Sequence, residues 1–248
     1  MPTNGATTDA APDVAPAPLG GVADSVPRTS DAASASRANS GRREAKAPMS
    51  ETEVVVPSID DKEKIGEIAG YVTRIIEVLG LDTADPNLAG TPERAAKMYL
   101  EMFRGLSEGA EPTVTFFPNE ERYQAMVMEK DIPFYSLCSH HFVPFYGHAH
   151  IAYIPNEKIV GLSKMPRILE FYARRPQLQE RLTEQVAGFL AEKLAPQGVM
   201  VVIEARHLCV EMRGVKKSGA LTVTSAIRGI FYNRPVREEF LDLLNRRG

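Results

Sequence analysis

The chain has 248 residues, enough for one sizeable domain or two small ones. Its 44% hydrophobic and 25% charged residues are ordinary for a globular protein, and a formal net charge of -3 argues against a general nucleic-acid binder. No apolar run reaches bilayer length and no secretory signal is visible, so neither a membrane nor export is expected and the cytoplasm is the expected location.

Residues 1–52 contain no aromatic and no isoleucine, and are rich in Ala, Pro, Ser and Thr. Such a segment buries too little apolar surface to offset its chain entropy, so a disordered tail is expected there. Asp9, Asp13, Asp24 and Asp31 count against reading it as a transit peptide, since those are acid-poor. One folded domain is expected over residues 53–248.

That domain opens with helices, over about residues 60–105. Ile65, Ile68, Val72, Ile75 and Leu79 recur at helical spacing, with Gly80 just past the end. Thr91 reads as the N-cap of a second helix, with Pro92 in its first position. The core follows, over about residues 123–233. Two extended stretches come first, from about Tyr123 to Tyr135 and from Phe142 to Ile154. Ser163 then caps a helix carrying Met165, Ile168, Leu169 and Tyr172, and Leu178 to Leu190 forms another. Val199 to Val210 and Leu221 to Tyr232 read as strands, and a short helix from about Arg237 to Leu244 closes the chain. The order strand, strand, helix, helix, strand, strand predicts an α+β domain, an antiparallel sheet with its helices on one face.

Both cysteines and three of the five histidines fall in two short segments, Cys138-Ser139-His140-His141 and His207-Leu208-Cys209. A cysteine and a histidine three apart in a tight turn can close on one metal, and a distant cysteine supplies a third ligand. Two thiolates and an imidazole leave one tetrahedral position open, as in catalytic zinc sites. On a strand, His207 and Cys209 would project to the same face. Two alternatives stay open on spacing: packing cysteines with no metal, or a closed structural site completed by His140 or His207. His148 and His150 read as surface or core residues of a strand. Ser163, Lys164 and Arg167 open a helix, where free N–H groups favour anions; Gln179 and Glu180 lie early in the next helix, and Arg213 and Lys216 follow the His207-Leu208-Cys209 segment. Arg174, Arg175 and Arg181 read as solvated helix faces.

The stretch from Phe134 to Phe231 closely resembles GTP cyclohydrolase I, and the helical segment from about Asp61 extends the likeness. Long motifs carry it: Cys138-Ser139-His140-His141, Gly161-Leu162-Ser163-Lys164, Gln177-Leu178-Gln179-Glu180-Arg181-Leu182-Thr183, His207-Leu208-Cys209 and Met212-Arg213-Gly214-Val215. The resemblance implies a tunnelling fold, and a homodecamer of two pentamers with active sites at subunit interfaces. It implies zinc held by Cys138, His141 and Cys209, and proton transfer by His140 and His207. Glu180, with Gln179 beside it, falls where the family recognises guanine, and Ser163, Lys164, Arg167 and Arg213 fall along its triphosphate path. The implied reaction converts GTP to 7,8-dihydroneopterin triphosphate with release of formate, the first step of pterin (folate or tetrahydrobiopterin) biosynthesis. One departure stands out: the family usually has glutamate where this chain has Ser139. That residue is the one feature favouring a competing reading, a weakened paralogue that binds GTP or a pterin in a regulatory role.

Overall fold

A computed structural model describes residues 59–246, so the expectation of a disordered tail over residues 1–52 lies outside the described part. Two helices come first, α1 (Ile59–Val78) and α2 (Thr91–Met102). They pack on one another; Ile76 and Ala96 are buried, and Tyr71, Ile75, Val78 and Leu79 are exposed. Thr91 lies inside α2 and Gly90 takes the cap position, because Pro92, which lacks an N–H, fits the first turn that early.

The centre is a five-stranded sheet in the order β5-β2-β3-β6-β7. Its long strands are β2 (Val127–Cys138), β3 (Pro144–Ile154), β6 (Gly198–His207) and β7 (Thr222–Gly229), which pair with one another antiparallel. Helices α3 (Lys164–Ala173) and α4 (Gln179–Leu194) sit between β3 and β6 in sequence, as the periodicity predicts. Three short strands went unforeseen. β1 (Phe116–Pro118) pairs with β4 (Lys158–Val160) apart from the main sheet, and β5 (Pro176–Gln177) adds a parallel edge to β2. The sheet is therefore mixed at one edge and antiparallel elsewhere.

Alternation sorts the side chains. Phe145, Ala149, Ile151 and Tyr153 of β3, with Val199, Val201, Ile203 and Ala205 of β6, pack under Ile168, Leu169, Leu182, Val186 and Leu190. Each large side chain fully buried there contributes roughly 1.5–3 kcal/mol relative to exposure. The opposite face is covered at one end only. There Ala152, Ile154, Met200 and Val202 meet Phe231 and Phe240, the latter on α6 (Arg234–Asn245). The two core helices thus share one face, as expected, and the C-terminal α6 adds partial cover on the other. The apolar stripe of α6 is short, so it covers only the end of the sheet beside the β7 exit.

β2 starts four residues later than expected because Asn119 folds the preceding segment. Its Oδ1 accepts from the Tyr123 N–H, and its Nδ2 donates to the Tyr123 and Asn156 carbonyls. A bulge interrupts β2 between Glu129 and Ile132, with Asp131 at φ 58°. Near the other end of β3, Gly147 lets β6 approach closely: a Cβ there would stand 1.9 Å from the Glu204 carbonyl oxygen. Among the described residues, no helix is long and apolar enough to cross a membrane.

Candidate metal and substrate site

The last residue of β2 is Cys138, and after five intervening residues the chain re-enters the sheet as β3. The Cys138 carbonyl accepts from both the His141 and Phe142 N–H groups, at 3.3 and 2.8 Å, and the Cys138 N–H donates to Val143. These bonds curl the turn so that His141 comes back over Cys138. β5 clamps it from outside, with the Ser139 N–H donating to the Gln177 carbonyl at 2.9 Å.

β6 reaches the same rim. His207 lies opposite Phe145, one residue from where β3 begins, so beyond His207 the strand has no ladder partner on that side. It turns into a single helical turn, α5 (Leu208–Glu211), closed by the Met212 N–H on the Leu208 carbonyl. Cys209 therefore sits on a helical turn and not on the strand, which corrects the same-face expectation. The turn swings its thiol inward. One ligand atom each from Cys138, His141 and Cys209 lie within 4.8 Å of one another, a group able to hold a metal ion.

The donor set suits a cation. Thiolates on one tetrahedral zinc stand about 3.8 Å apart, a small contraction from this spacing. Burial, and next the neighbouring Cys138, push the Cys209 thiol up from its ordinary range. A bound cation would favour the Cys209 thiolate that burial disfavours. His140 stands at the edge, its Nδ1 3.7 Å from Cys138 Sγ, and its ring meets His141 edge-on. Arg213 Nη1 lies 3.3 Å from His141 Nε2.

His207 is held differently. Its ring stacks on Phe145, centroids 4.7 Å apart and planes 1° from parallel. Its Nε2 lies 2.7 Å from Gln179 Oε1. Burial lowers its proton affinity below the ordinary imidazole range, against the opposing pull of Glu180 and Glu211. Gln179, the first residue of α4, is buried, and its Nε2 donates toward Ile203 O, Thr222 O and Thr224 Oγ1. Its side chain is thus spent within the protein. Glu180, next along, is exposed at the helix start.

The basic set lies elsewhere. Ser163 and Arg167 are exposed at the start of α3, where Ser163 makes no side-chain cap bond, and Lys164 Nζ donates to the Thr113 carbonyl. That end of α3 follows Val160, whose N–H bonds the Tyr153 hydroxyl, whereas the far end meets Ser136 through the Ala173 carbonyl. Along β3, Tyr153 and the rim residue Phe145 are about 26 Å apart. One chain therefore joins Cys138, His140, His141, His207, Gln179 and Arg213, and leaves Ser163, Lys164 and Arg167 toward the other end.

The arginines read as solvated have structural partners. Arg174 Nε bonds Glu170 at 2.6 Å, Arg175 lies 4.2 Å over the Phe171 ring, and Arg181 Nε bonds Gln177 at 2.9 Å. Sequence reasoning missed Phe145, Gln177 and Thr224 as parts of the site. Phe145 alone carried a signal, since it falls on the apolar alternation of β3.

The family model described as GTP cyclohydrolase I matches residues 68–245. The chain is 55% identical over 172 residues to GTP cyclohydrolase 1 of Carboxydothermus hydrogenoformans, covering 69% of this chain and 88% of that one. It is 53% identical over 180 residues to GTP cyclohydrolase 1 of Lysinibacillus sphaericus, covering 72% and 95%. With that of Halalkalibacterium halodurans it shares 52% over 187 residues, covering 74% and 97%.

Proposed function

The chain belongs to the GTP cyclohydrolase I family and has that family's activity on GTP, and we propose that the cysteine-lined rim is where the purine is opened. The carrying observation is the convergence of Cys138, His141 and Cys209 within 4.8 Å, with His207 two residues from Cys209. We assign zinc to these three ligands. Zinc, when bound with an open fourth position, supplies a Lewis acid and brings the pKa of water to about 7.

This chain's residues supply the rest. Opening the imidazole ring adds one water at C8 and breaks the C8–N9 bond, leaving a formyl group on N7. The addition needs an acid at N7, and His207, two residues from Cys209, gives that proton. A second water then cleaves the bond between N7 and the formyl carbon, leaving the amine on the pyrimidine and releasing formate. His140, exposed at the rim, serves the proton transfers of ribose opening and rearrangement that lead to 7,8-dihydroneopterin triphosphate. Glu180 accepts from guanine N1–H and the exocyclic amine together, a pairing adenine does not offer. With the Gln179 side chain engaged inside the protein, base recognition falls to Glu180 and to the main chain beside it.

Ser163, Lys164, Arg167 and Arg213 bind the triphosphate. Three of these lie far from the rim of their own chain, which favours a site completed by the basic set of a second copy. The open edge of β7, the length of β2 that the two-residue β5 leaves uncovered, and the exposed apolar residues of α1 favour the same reading, a homo-oligomer of two pentameric rings. The test is incubation of the zinc-loaded protein with GTP, measuring formate and dihydroneopterin triphosphate together. Equal release of both is expected. Zinc binding without either product would overturn the assignment of this rim.

A further inference from the structure

Gln179 carries a hydrogen-bond pattern whose direction is fixed at each step. Thr183 Oγ1 donates to the Gln179 main-chain carbonyl at 2.8 Å, which uses its one hydrogen. Across the 2.7 Å contact between the two threonine hydroxyls, Thr224 must therefore be the donor. Thr224 Oγ1 is then free to accept, and it faces Gln179 Nε2 at 3.2 Å, with Ile203 O at 2.9 Å and Thr222 O at 3.0 Å. Reversing the amide would press its oxygen against two carbonyl oxygens. Gln179 Oε1 must face His207, and at 2.7 Å the His207 Nε2 must carry the hydrogen. Turning the ring over would put a C–H at that distance from the oxygen. The parallel stack on Phe145 holds the ring plane.

We propose that Gln179 is a positioning residue for ring opening: it pins the Nε2–H of His207, so that Nδ1 is the nitrogen offered to N7 of the guanine. This rests on the reading of His207 as the proton donor. A neutral amide fits that role. It fixes the ring and its tautomer without adding a carboxylate beside two thiolates, and the ring nitrogen facing the substrate exchanges its proton while the other keeps its own. The 2% exposure of Gln179 keeps water from competing for the bond.

The experiment uses the zinc-loaded full chain with Gln179→Met, His207→Ala and the double variant. Gln179→Met is expected to lower kcat about tenfold or more, with KM for GTP within about twofold and zinc content unchanged. In the His207→Ala background the same substitution should lower kcat less than about twofold, because the residue it acts through is gone. Equal losses in both backgrounds, or a raised KM with kcat unchanged, would overturn the inference and leave His207 as the donor. Unchanged turnover in His207→Ala would instead overturn the donor reading, and the inference with it. Should Gln179→Met fail to fold, the ¹⁵N spectrum of histidine-labelled protein decides, with His207→Asn giving the assignment. A hydrogen on Nε2 is expected, and one on Nδ1 alone refutes the inference.

Discussion

His150 and His207 lie on adjacent strands of one sheet, and burial lowers the proton affinity of both. His150 is 4% exposed in the body of β3, on the face away from α3 and α4, with Nδ1 accepting the Asp131 N–H of the β2 bulge at 3.1 Å. Asp131, Glu204, His148 and Lys130 surround it, and neither thiol does. His207 stands at the end of β6, where the ladder stops, with one nitrogen bonded to an amide and its strand running on into a turn whose cysteine joins a group able to hold a metal ion. Burial and a shifted pKa are common to both. What separates them is the place along the sheet: a ring enclosed between continuous strands serves the fold, and one at a strand end can face a substrate. The rim is where hydrogen-bond ladders run out and leave side chains directional work.

The strongest way to break this contrast is at the metal. Cys209→Ala leaves two protein ligands, too few for a stable zinc site, so tight zinc binding and measurable turnover should both disappear. The fold around His150 should stay intact, because the Cys209 turn lies beyond the ladder that encloses that ring. Metal analysis, formate release and circular dichroism on one preparation check all three. Full zinc occupancy in the variant would remove Cys209 from the ligand set, and unfolding would show that the rim and the sheet body are one unit.

A smaller effect is expected from Glu180→Gln, which acts on the rim without touching the metal. The amide oxygen meets one guanine donor where the carboxylate meets two, and leaving a donor unpaired costs about 1–3 kcal/mol. The catalytic efficiency with GTP should fall roughly 5- to 150-fold, with zinc content unchanged. Unaltered efficiency would mean that guanine is read elsewhere.

Much of this contrast was legible in the residues. The Cys-Ser-His-His and His-Leu-Cys segments pointed to the ligand group, and alternation in β3 and β6 located the body of the sheet. The turn at Cys209 was not legible. Val199 to Val210 is one unbroken strand-like run, and its end is set by β3, which begins at Pro144 and gives β6 nothing to pair with past His207. The inward bonds of the Gln179 amide were not legible for a similar reason: the carbonyls of Ile203 and Thr222 that it meets come from strands 24 and 43 residues away. The bulge at Asp131 and the two-residue β5 depend on partners equally distant in sequence. Local pattern fixes which face of an element is apolar. Where the element stops is decided by what lies beside it.

The smallest effect sharpens the other side of the comparison. Folding lowers the proton affinity of His150 below its ordinary value of 6.5, through burial, with Asp131 and Glu204 opposing. The unfolded chain then binds more protons than the folded one between 6.5 and the lower folded value. Stability must fall as pH drops through that window, and the His150 contribution is fully present only above it. In His150→Asn the amide oxygen can accept the Asp131 N–H in place of Nδ1, and no proton is taken up at the site. Denaturant midpoints measured from pH 7.5 to 5 should fall less steeply in this variant than in the unsubstituted protein. Turnover at pH 7.5 should be unchanged, since the residue lies in the body of the sheet and away from the rim. An identical pH slope in the two proteins would mean that His150 titrates as freely folded as unfolded, and a loss of turnover would place it within reach of the chemistry at the rim.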